Sequence, residues 1–464
     1  MARYDLVVIG SGPAGEKGAT QAAYFGKKVA LVEKAKVLGG AAANAGTLSS
    51  KTLRETALYL SGFRQRGLYG VDMTLSRSVT VKDLLFRERV VKDQERDRVG
   101  WNLERHGVEV VRGAASFLDA NRVQVRAPEG DRVLEAERVL IATGFTPFRP
   151  PVFPFDHPRI HDSDELVDLE VIPRRMAVVG GGVIGCEYAC MFQALGVQVT
   201  LVEGKERLLT FLDTEIADAL TARMKAMGIT LQKPDSVVKC EAGDGPIQLA
   251  LKSGGAVEVD QVLVAAGRSG NTGSLGLEVV GIKPNARGCL EVNEHFQTAA
   301  PGIYAAGDVI GFPALASTSM EQARIAVVHA FDLKYKTALA PVLPFGIYTI
   351  PEVSMAGATE QELQEKKVPY VVGRTSYGMN ARGQIIGDQT GLLKLLFEPE
   401  QMKLLGVHLI GEQATELIHI GLTALLAGGT ADLFIQTCFN YPTLSETYKY
   451  ATYDALGARA KAAK

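Results

Sequence analysis

One glycine pattern, present twice, constrains the fold of this chain more than any other feature of its sequence. The first copy, "YDLVVIGSGPAG", runs from a strand rich in β-branched residues into Gly10-x-Gly12-x-x-Gly15, and a second strand, "KVALVEK", ends at Glu33. Gly10 permits a tight turn, Gly12 lets the backbone approach a pyrophosphate, and Gly15 allows close packing of helix and strand. Glu33 is placed to accept a hydrogen bond from a ribose hydroxyl. With strand, helix and acid all present, a dinucleotide-binding unit is favoured over a loop that merely turns.

The second copy, "RMAVVGGGVIGCEY", holds Gly180-x-Gly182-x-x-Gly185, and the strand after its helix ends at Glu203. The first glycine and the acid are 23 positions apart in both copies, from 10 to 33 and from 180 to 203. Two such units predict two bound dinucleotides. A flavin and a nicotinamide are the simplest pair, with hydride transfer between them.

Three further segments fit such a pair of units. "GIYAAGDVIG" places Asp308 after a strand and a tight glycine turn, ahead of the helical stretch "STSMEQARIAVVHAF". "VLIATG" and "VLVAAG" are typical of buried strands and end at Gly144 and Gly267, about where each nucleotide unit closes. Plain core strands are an almost equally good interpretation of the last two segments.

Length and composition exclude several classes of protein. A chain of 464 residues is too long for one core and predicts two to four domains. The formal net charge of −2 gives no support for nucleic-acid binding, which usually requires a basic face. No apolar segment is long enough to span a bilayer, so no membrane insertion is expected. The seven histidines show no ligand spacing, which predicts no metal site.

The N-terminus and the cysteines predict a cytoplasmic protein. "MARYDLVVIG" enters a strand almost at once, which argues against a signal or transit peptide. The five cysteines are scattered and odd in number, which is typical of a reducing compartment rather than of a disulfide framework. Cys186 and Cys190 lie one turn apart on one helix face, too far apart for a relaxed disulfide, and are interpreted as core residues.

The motifs together resemble the pyridine nucleotide–disulfide oxidoreductase family, which includes dihydrolipoamide dehydrogenase and glutathione reductase. The resemblance covers essentially the whole chain and is carried by "GSGPAG", "GGGVIGCEY", "GIYAAGDV", "PEVSMAG" and "YPTLSE". Within the family, "GVIGCEYACMF", "RLLTFLD", "ELIHIG" and above all "CFNYPTLSETYKYA" are similar to the soluble pyridine nucleotide transhydrogenases. These long stretches are far more specific than the glycine patterns.

The resemblance implies an α/β fold of two Rossmann-like dinucleotide-binding domains and a C-terminal α+β dimerisation domain, as in glutathione reductase. Residues 1–150 would form the first part of an FAD-binding domain, and residues 151–270 an NAD(P)-binding domain. Residues 271–344 would return to the FAD-binding domain, and residues 345–464 would pair two subunits into a homodimer. Two proline-bearing segments, "FRPPVFP" and "APVLPFGIYTIPE", lie where such boundaries are expected.

The stretch "VLGGAAANAGTLSSK" departs from the disulfide reductases of the family. Their loop carries two cysteines, and the aligned positions in this chain are Ala42 and Thr47, followed by the retained Lys51. The C-terminal histidine that protonates dithiol substrates in those relatives is replaced by Tyr441. Thiol–disulfide exchange needs a thiolate and an acid–base group, so reduction of lipoamide, glutathione or thioredoxin is excluded.

The resemblance also implies which residues serve the flavin and the nicotinamide. Lys51 would lie at the edge of the flavin ring, paired with Glu187, and would stabilise the anion that develops as hydride arrives. Tyr441 and Glu446 would reach across the dimer towards the partner's flavin, where they fill and orient. The cofactor-binding set implied for the two dinucleotides is Gly10, Gly12, Gly15, Glu33, Gly40, Thr47, Lys51, Gly144, Asp308, Gly180, Gly182, Gly185, Glu187, Glu203, Lys205, Arg207 and Gly267.

The expected reaction is FAD-dependent hydride transfer between NADH or NADPH and NAD(P)+, without a redox disulfide. Each nucleotide would use the same pocket in turn, with FADH⁻ as the carrier in a ping-pong cycle. Glu203 favours NAD, because a carboxylate repels the 2′-phosphate of NADP. Lys205 and Arg207 could clamp that phosphate, although exposed loop charges are an equally good interpretation, and NADP binding is a hypothesis.

Two alternatives are open. An NADH-dependent diaphorase or quinone reductase needs neither NADP nor sulfur, and the alanines Ala41 to Ala43 could open an apolar slot for a quinone above the flavin. A flavoprotein that has lost catalysis and acts in redox sensing or binding is opposed by the retention of Lys51, Glu187 and Asp308. The charged run "RERVVKDQERDR" is interpreted as a solvated helix.

Overall fold

The computed structural model describes residues 2–64, 67–71, 78–127 and 129–462 of the chain. The strands, in chain order, are β1 (Ala2–Ile9), β2 (Val29–Glu33), β3 (Glu109–Arg112), β4 (Ala114–Asp119), β5 (Arg122–Arg126), β6 (Arg132–Ile141), β7 (Phe145–Pro147), β8 (Ile160–Asp162), β9 (Arg175–Val179), β10 (Gln198–Val202), β11 (Thr230–Gln232), β12 (Val237–Glu241), β13 (Ile247–Leu251), β14 (Ala256–Val259), β15 (Gln261–Val264), β16 (Arg268–Gly270), β17 (Ile303–Ala305), β18 (Phe345–Ile347), β19 (Glu352–Gly357), β20 (Val371–Ser376), β21 (Leu392–Phe397) and β22 (Leu404–Gly411).

The helices, in chain order, are α1 (Pro13–Tyr24), α2 (Gly40–Asn44), α3 (Thr47–Ser61), α4 (Val81–Arg105), α5 (Val183–Ala194), α6 (Thr214–Ala226), α7 (Ala316–Ala330), α8 (Glu360–Glu365), α9 (Ala381–Ile386), α10 (Ala414–Leu426), α11 (Ala431–Gln436) and α12 (Thr447–Ala462). In the described part of the chain, no helix combines the length and the hydrophobicity needed to cross a bilayer.

The first sheet contains the first glycine motif. Its order is β3-β2-β1-β6-β5-β4, and β17 also pairs with β6. β1 is parallel to β2 on one side and to β6 on the other, so the strand order reverses beside β1. Ligands of open α/β sheets bind at such a point, outside the carboxyl ends of the strands. The turn that begins at Gly10 lies there.

The second sheet repeats this arrangement. β9 lies between β10 and β15 in the order β11-β10-β9-β15-β8, and every pair is parallel. α5 follows β9 as α1 follows β1, and a meander of β12, β13 and β14 extends the unit. β2 of the first sheet and β15 of the second are buried along their whole length, as expected for strands covered on both faces.

A five-stranded antiparallel sheet, in the order β18-β19-β22-β21-β20, forms the C-terminal part of the fold. The main sheets therefore occupy residues 2–141 with 303–305, residues 160–264, and residues 345–411. Two dinucleotide-binding units and a C-terminal α+β part were predicted, and this α/β fold class is confirmed. The predicted boundaries after residues 150, 270 and 344 fall between these sheets and stay predictions.

One hydrophobic core joins α3, α5 and the β18–β19 hairpin, and among its members are Leu53, Phe192 and Val353. Cys186 and Cys190 belong to the same core and are unpaired, so their prediction as core residues is confirmed. Burial raises the pKa of both thiols, to about 12 for Cys190, so neither is a thiolate near neutral pH.

The charged run from Arg87 to Arg98 lies in α4 as predicted, and the prediction that it is solvated is wrong for Glu88. Glu88 is buried and accepts a hydrogen bond from the Ser49 hydroxyl at 2.7 Å. Arg98 donates to both carboxylate oxygens of Glu16, at 3.1 and 3.2 Å. The helix therefore turns part of its charge inward, because α3 and α1 supply partners that are distant in the sequence.

Candidate active site

The first glycine loop presents open backbone at the start of α1. Gly10 has a φ of +106°, which favours glycine, and a methyl group there would clash with the carbonyl oxygen of Ala142. A methyl group on Gly15 would clash with the carbonyl oxygen of Gly10, so helix and strand touch through backbone alone. Gly12 faces open space instead, since the nearest atom to its methyl group would be the Cα of Gly40 at 3.9 Å.

The second glycine loop has the same geometry. Gly180 has a φ of +111°, and a methyl group on Gly185 would clash with its carbonyl oxygen. A methyl group on Gly182 would meet no atom within 4 Å. Gly12 and Gly182 begin α1 and α5 without a side-chain cap, so free N–H groups and the positive end of each dipole face open space. Each loop therefore fits the pyrophosphate of a dinucleotide.

The acid at the end of β2 ties the first glycine loop to its neighbours. Oε2 of Glu33 accepts hydrogen bonds from the backbone N–H of Ser11 at 2.9 Å and from its hydroxyl at 2.6 Å. Oε1 accepts from the N–H of Ala35 at 2.8 Å. A carboxylate can accept about four hydrogen bonds, so capacity is left for a ribose hydroxyl.

Glu203 makes equivalent bonds at the second loop. Its Oε2 accepts from the N–H of Gly181 at 2.5 Å, and its Oε1 accepts from the N–H of Lys205 at 2.7 Å. The Lys205 side chain is exposed. Arg207 is also exposed, and its Nε lies 3.0 Å from Oδ1 of Asp218. Both cations thus lie on the loop directly after Glu203, and one of them already has an anionic partner.

Lys51 and Glu187 meet where the two units approach each other. Nζ of Lys51, in α3, lies 2.8 Å from Oε2 of Glu187, in α5. The Glu187 side chain is 8 % exposed and the Lys51 side chain 27 %. Oε1 of Glu187 accepts from the N–H of Tyr348 at 2.8 Å, and the Tyr348 ring centroid lies 4.9 Å from Nζ of Lys51. The structure thus places a residue of the C-terminal part beside the expected pair.

The loop from residue 38 to residue 51 is held together without sulfur. Ala42 lies in α2, and Thr47 begins α3. Nδ2 of Asn44 donates to two backbone carbonyls of the same loop, at 2.9 and 2.8 Å, and its Oδ1 accepts from Nε of Arg96 at 2.6 Å. Gly40 has a φ of +58°, and a methyl group on it would lie 2.8 Å from the first glycine loop. Hydrogen bonds and close backbone contact therefore position this loop.

Asp308 follows a glycine turn at the edge of the first sheet. Gly307 has a φ of +82°, and its N–H donates to Oε1 of the buried Gln322 at 2.9 Å. Burial raises the pKa of Asp308, and the charge of Arg268 acts in the opposite direction. Arg268 in turn donates to both carboxylate oxygens of Asp164, at 2.8 and 3.1 Å. This cluster links the first unit to the second.

Gly144 and Gly267 lie three residues after the ends of β6 and β15. Their φ values are +67° and +115°, and methyl groups on either would meet no atom within 4 Å. β7 and β16, which follow them, pair in antiparallel fashion and connect the two units. The two glycines therefore face open space beside this connection.

Tyr441 and Glu446 lie apart from Lys51 within one chain. Tyr441 is 75 % exposed, and the structure of the described residues shows no hydrogen bond or ion pair from either side chain to Lys51 or Glu187. Their expected approach to a partner's flavin stays a prediction. In the same described residues, no three His, Cys, Asp or Glu side chains form a group that could hold a metal ion.

Three residues of the site were not predicted from the sequence: Tyr348, Arg268 and Gln322. Each contacts a predicted residue or its direct neighbour from another segment of the chain: Tyr348 contacts Glu187, Arg268 contacts Phe145 next to Gly144, and Gln322 contacts Gly307 next to Asp308. Tyr348 lies in "APVLPFGIYTIPE", which was interpreted as a domain boundary, and Gln322 lies in the predicted helical stretch "STSMEQARIAVVHAF", so neither segment indicated a site residue.

Each glycine loop leaves open space at the start of a helix that has no side-chain cap, and the lysine–glutamate pair lies where the two units approach each other. These features are those of an oxidoreductase built on two dinucleotide-binding units. Residues 4–329 match the family described as "Pyridine nucleotide-disulphide oxidoreductase", and residues 343–452 match its dimerisation domain. The chain belongs to this family, and the family predicted from the sequence motifs is confirmed.

Curated relatives match over nearly the full length. The chain is 44 % identical over 458 residues to the soluble pyridine nucleotide transhydrogenase of Mycobacterium bovis (strain BCG / Pasteur 1173P2). It is 40 % identical over 458 residues to the soluble pyridine nucleotide transhydrogenase of Colwellia psychrerythraea. Each alignment covers 98 % of both proteins. The predicted similarity to this subgroup is confirmed.

Solved structures agree with the fold. LpdA from Mycobacterium tuberculosis has a TM-score of 0.89 to this chain, and the Cu(II) complex of the HOCl-induced flavoprotein disulfide reductase RclA from Escherichia coli has a TM-score of 0.88. Each is 27 % identical to this chain and is covered to 99 %, with 98 % of this chain covered. The glutathione reductase-like architecture predicted above is confirmed.

Proposed function

We propose that the protein is an FAD-dependent transhydrogenase, which passes hydride between NADH or NADPH and NAD(P)+ without a redox disulfide. One observation carries the proposal. The Lys51–Glu187 ion pair of 2.8 Å lies between two dinucleotide-binding units, while Ala42 and Thr47 replace the loop thiols. The electrons of a hydride that enters such a site cannot pass to a disulfide in this loop. The similarity to soluble pyridine nucleotide transhydrogenases supports a second nicotinamide as the acceptor.

FAD, when bound, supplies the chemistry by accepting and returning a hydride. The residues present fit it, because the space over Gly12 is open and the start of α1 has free N–H groups. Glu33 would accept from its ribose. Asp308 and Thr47 would lie along the rest of the cofactor.

Lys51 would place a positive charge at the edge of the flavin ring. Glu187 holds that ammonium through the 2.8 Å ion pair, and its own low exposure strengthens the attraction. A charge that is already in position when negative charge develops lowers the barrier without reorganisation. Glu187 would also form one wall of the nicotinamide pocket.

Both nicotinamide nucleotides would bind along the second glycine loop. The start of α5 and the open space over Gly182 fit a pyrophosphate, and Glu203 fits the ribose of NAD. Two backbone N–H groups already donate to the Glu203 carboxylate, which disperses part of the charge that opposes a 2′-phosphate. Lys205 and Arg207 would supply the compensating cations. These features support binding of NADP(H) as well as NAD(H).

We further propose a cytoplasmic homodimer. The dimerisation-domain match over residues 343–452 supports pairing through the C-terminal part. Tyr441, which is exposed in one chain, would then face the partner's flavin. All five cysteines are free, which suits a reducing compartment.

The test is an anaerobic reaction in two steps. Enzyme-bound FAD is first reduced with one equivalent of NADH, and NADP+ is then added while flavin absorbance and NADPH formation are followed together. One equivalent of NADPH per flavin is the expected result. A reduced flavin that ignores NADP+ would contradict the proposal, and prompt reoxidation of that flavin by a quinone would assign the enzyme as a quinone reductase.

A further inference from the structure

Tyr348 brings a third unit to the Lys51–Glu187 pair. Lys51 belongs to the first dinucleotide-binding unit, Glu187 to the second, and Tyr348 to the C-terminal part. We propose that Tyr348 is a positioning residue that aims the Lys51 ammonium at the edge of the flavin ring. The proposal rests on the proposed function only in requiring that FAD binds and accepts hydride.

Tyr348 is one of three partners that restrict the orientation of the Lys51 ammonium. An ammonium group has three N–H donors. One faces Oε2 of Glu187 at 2.8 Å, and the Ser50 hydroxyl lies 3.3 Å from Nζ. The Tyr348 ring centroid, 4.9 Å away, attracts the same cation through its quadrupole. Three partners thus restrain a long and flexible side chain, whose ordering would otherwise cost conformational entropy each time it meets the flavin.

The backbone of Tyr348 restrains the other member of the pair. Its N–H donates to Oε1 of Glu187 at 2.8 Å, while Oε2 of the same carboxylate faces Lys51. The two oxygens therefore have separate partners, and the carboxylate plane is fixed. Without the N–H group the carboxylate could rotate, and the ammonium would follow it.

Tyr348 is itself held against the helix that carries Lys51. Arg54, one turn further along α3, donates from Nε to the carbonyl oxygen of Thr349 at 3.1 Å. The same guanidinium lies 3.4 Å from Glu352 of β19. Arg54 and Thr349 are both buried. The hairpin of the C-terminal part is thus docked on the face of α3 from which Lys51 projects.

The phenol of Tyr348 stays neutral at ordinary pH, because burial raises its pKa. The side chain therefore acts on Lys51 through the face of its ring rather than through a charge. A phenylalanine at this position would keep the same face, so the ring can be varied without changing the charge of the site.

The experiment varies the ring electronics at constant shape. Tyr348→Phe is compared with chains that carry difluorinated and trifluorinated phenylalanine at position 348, because fluorine weakens the ring quadrupole. Tyr348→Phe keeps the ring face and loses only the hydroxyl, which hydrogen-bonds with Thr415, so this variant is the reference for the series. Through the series, the midpoint potential of bound FAD should become more negative. The limiting rate of anaerobic flavin reduction by NADH should fall by about threefold to tenfold, with little change in the NADH concentration for half-maximal rate.

The same substitutions at Tyr59 are the matched control, because Tyr59 is an exposed residue of the same helix. Neither the potential nor the rate should change there. A potential and a rate that stay constant across the series at position 348 would overturn the proposal. Neither readout uses NADP+, so a failure to form NADPH would count against the transhydrogenase alone.

Discussion

Nζ of Lys394 lies 2.8 Å from Oδ1 of Asp213, and the two side chains are 1 % and 0 % exposed. Lys394 belongs to β21 of the C-terminal sheet, and Asp213 caps α6 of the second dinucleotide-binding unit. Glu215 at 3.0 Å and Glu360 at 2.5 Å complete the cluster around the ammonium. A buried charge cluster therefore joins the second unit to the C-terminal part.

Removal of the cation from this cluster should be strongly destabilising. Lys394→Met leaves Asp213 as a buried carboxylate without its partner, which costs about 3–5 kcal/mol. The measurement is the free energy of unfolding in urea. Lys334→Met is the control, because both members of its ion pair are exposed, and it should change stability by less than about 0.5 kcal/mol. Equal losses in the two variants would contradict the prediction.

Acid should weaken the same cluster. Burial alone would raise the pKa of Asp213, but His408 and the hydrogen bond from Lys394 outweigh it, and the pKa is lowered. The pKa of Glu215 is also lowered, because Arg374 and Lys394 outweigh burial. Such carboxylates contribute stability that is present above their unfolded pKa values and is lost as the pH falls through the folded ones.

The stability that the cluster contributes should therefore be lost below about pH 4.5, so the wild type should decline more steeply there than Lys394→Met. Urea unfolding of both proteins between neutral and acidic pH measures the difference. Parallel declines in the two proteins would show that the cluster does not carry this dependence.

Loss of the charge on Glu187 should slow hydride entry. Glu187→Gln keeps the shape and an oxygen for the Tyr348 N–H, but it removes the anion that faces Lys51. We expect the limiting rate of flavin reduction by NADH to fall about tenfold while FAD stays bound. Stopped-flow absorbance under anaerobic conditions measures it, with Glu104→Gln, at an exposed position of α4, as the control. Unchanged kinetics would remove Glu187 from the mechanism.

Two glycines of the second loop should respond in opposite ways to alanine. A methyl group on Gly182 meets no protein atom, and its φ of −77° suits alanine, so the variant should fold with a normal melting temperature. It should raise the half-saturating concentration of both nicotinamide nucleotides about tenfold, because the methyl group occupies the space for the pyrophosphate. Normal nucleotide binding by Gly182→Ala would show that the pyrophosphate lies elsewhere.

Gly185→Ala is the companion variant. Its methyl group would clash with the carbonyl oxygen of Gly180, which belongs to the backbone and cannot move aside cheaply. We expect a clear fall in the melting temperature rather than a selective loss of nucleotide binding. Thermal unfolding followed by circular dichroism separates the two variants.

Arg207 should discriminate between the two nucleotides. Arg207→Gln should raise the half-saturating concentration of NADP(H) about tenfold and change that of NAD(H) less than about twofold, because only NADP carries the 2′-phosphate. Lys225→Gln, an exposed residue of the neighbouring helix α6, should change neither. Steady-state assays with each nucleotide test this, and equal effects on both would assign Arg207 a structural role with Asp218.

Both dinucleotide-binding units could be predicted from local sequence. Gly10 and Gly180 have positive φ values, and Gly15 and Gly185 leave no room for a side chain. Each requirement depends on the identity of one residue, so the pattern is visible without a structure. Thiol chemistry could likewise be excluded from the identity of single residues, since Ala42 and Thr47 have no sulfur.

Burial and pairing of charges were not visible in the same way. The run that contains Glu88 has the composition of a solvated helix, yet Glu88 lies buried against Ser49. Lys394 sits in a strand of leucines and gave no signal of function or structure, although it joins two units. A charge is buried only where packing supplies a partner, and local composition does not contain that information.

The identity of single residues was thus enough to predict two nucleotide loops and to exclude thiol chemistry in the loop before Lys51. The arrangement of the site depended on packing. Lys51 and Glu187 are 136 positions apart, and Lys394 and Asp213 are 181 positions apart. Such contacts form only when separate sheets and helices bury their apolar faces against one another, because that burial brings distant polar groups together and removes the water that would otherwise solvate them.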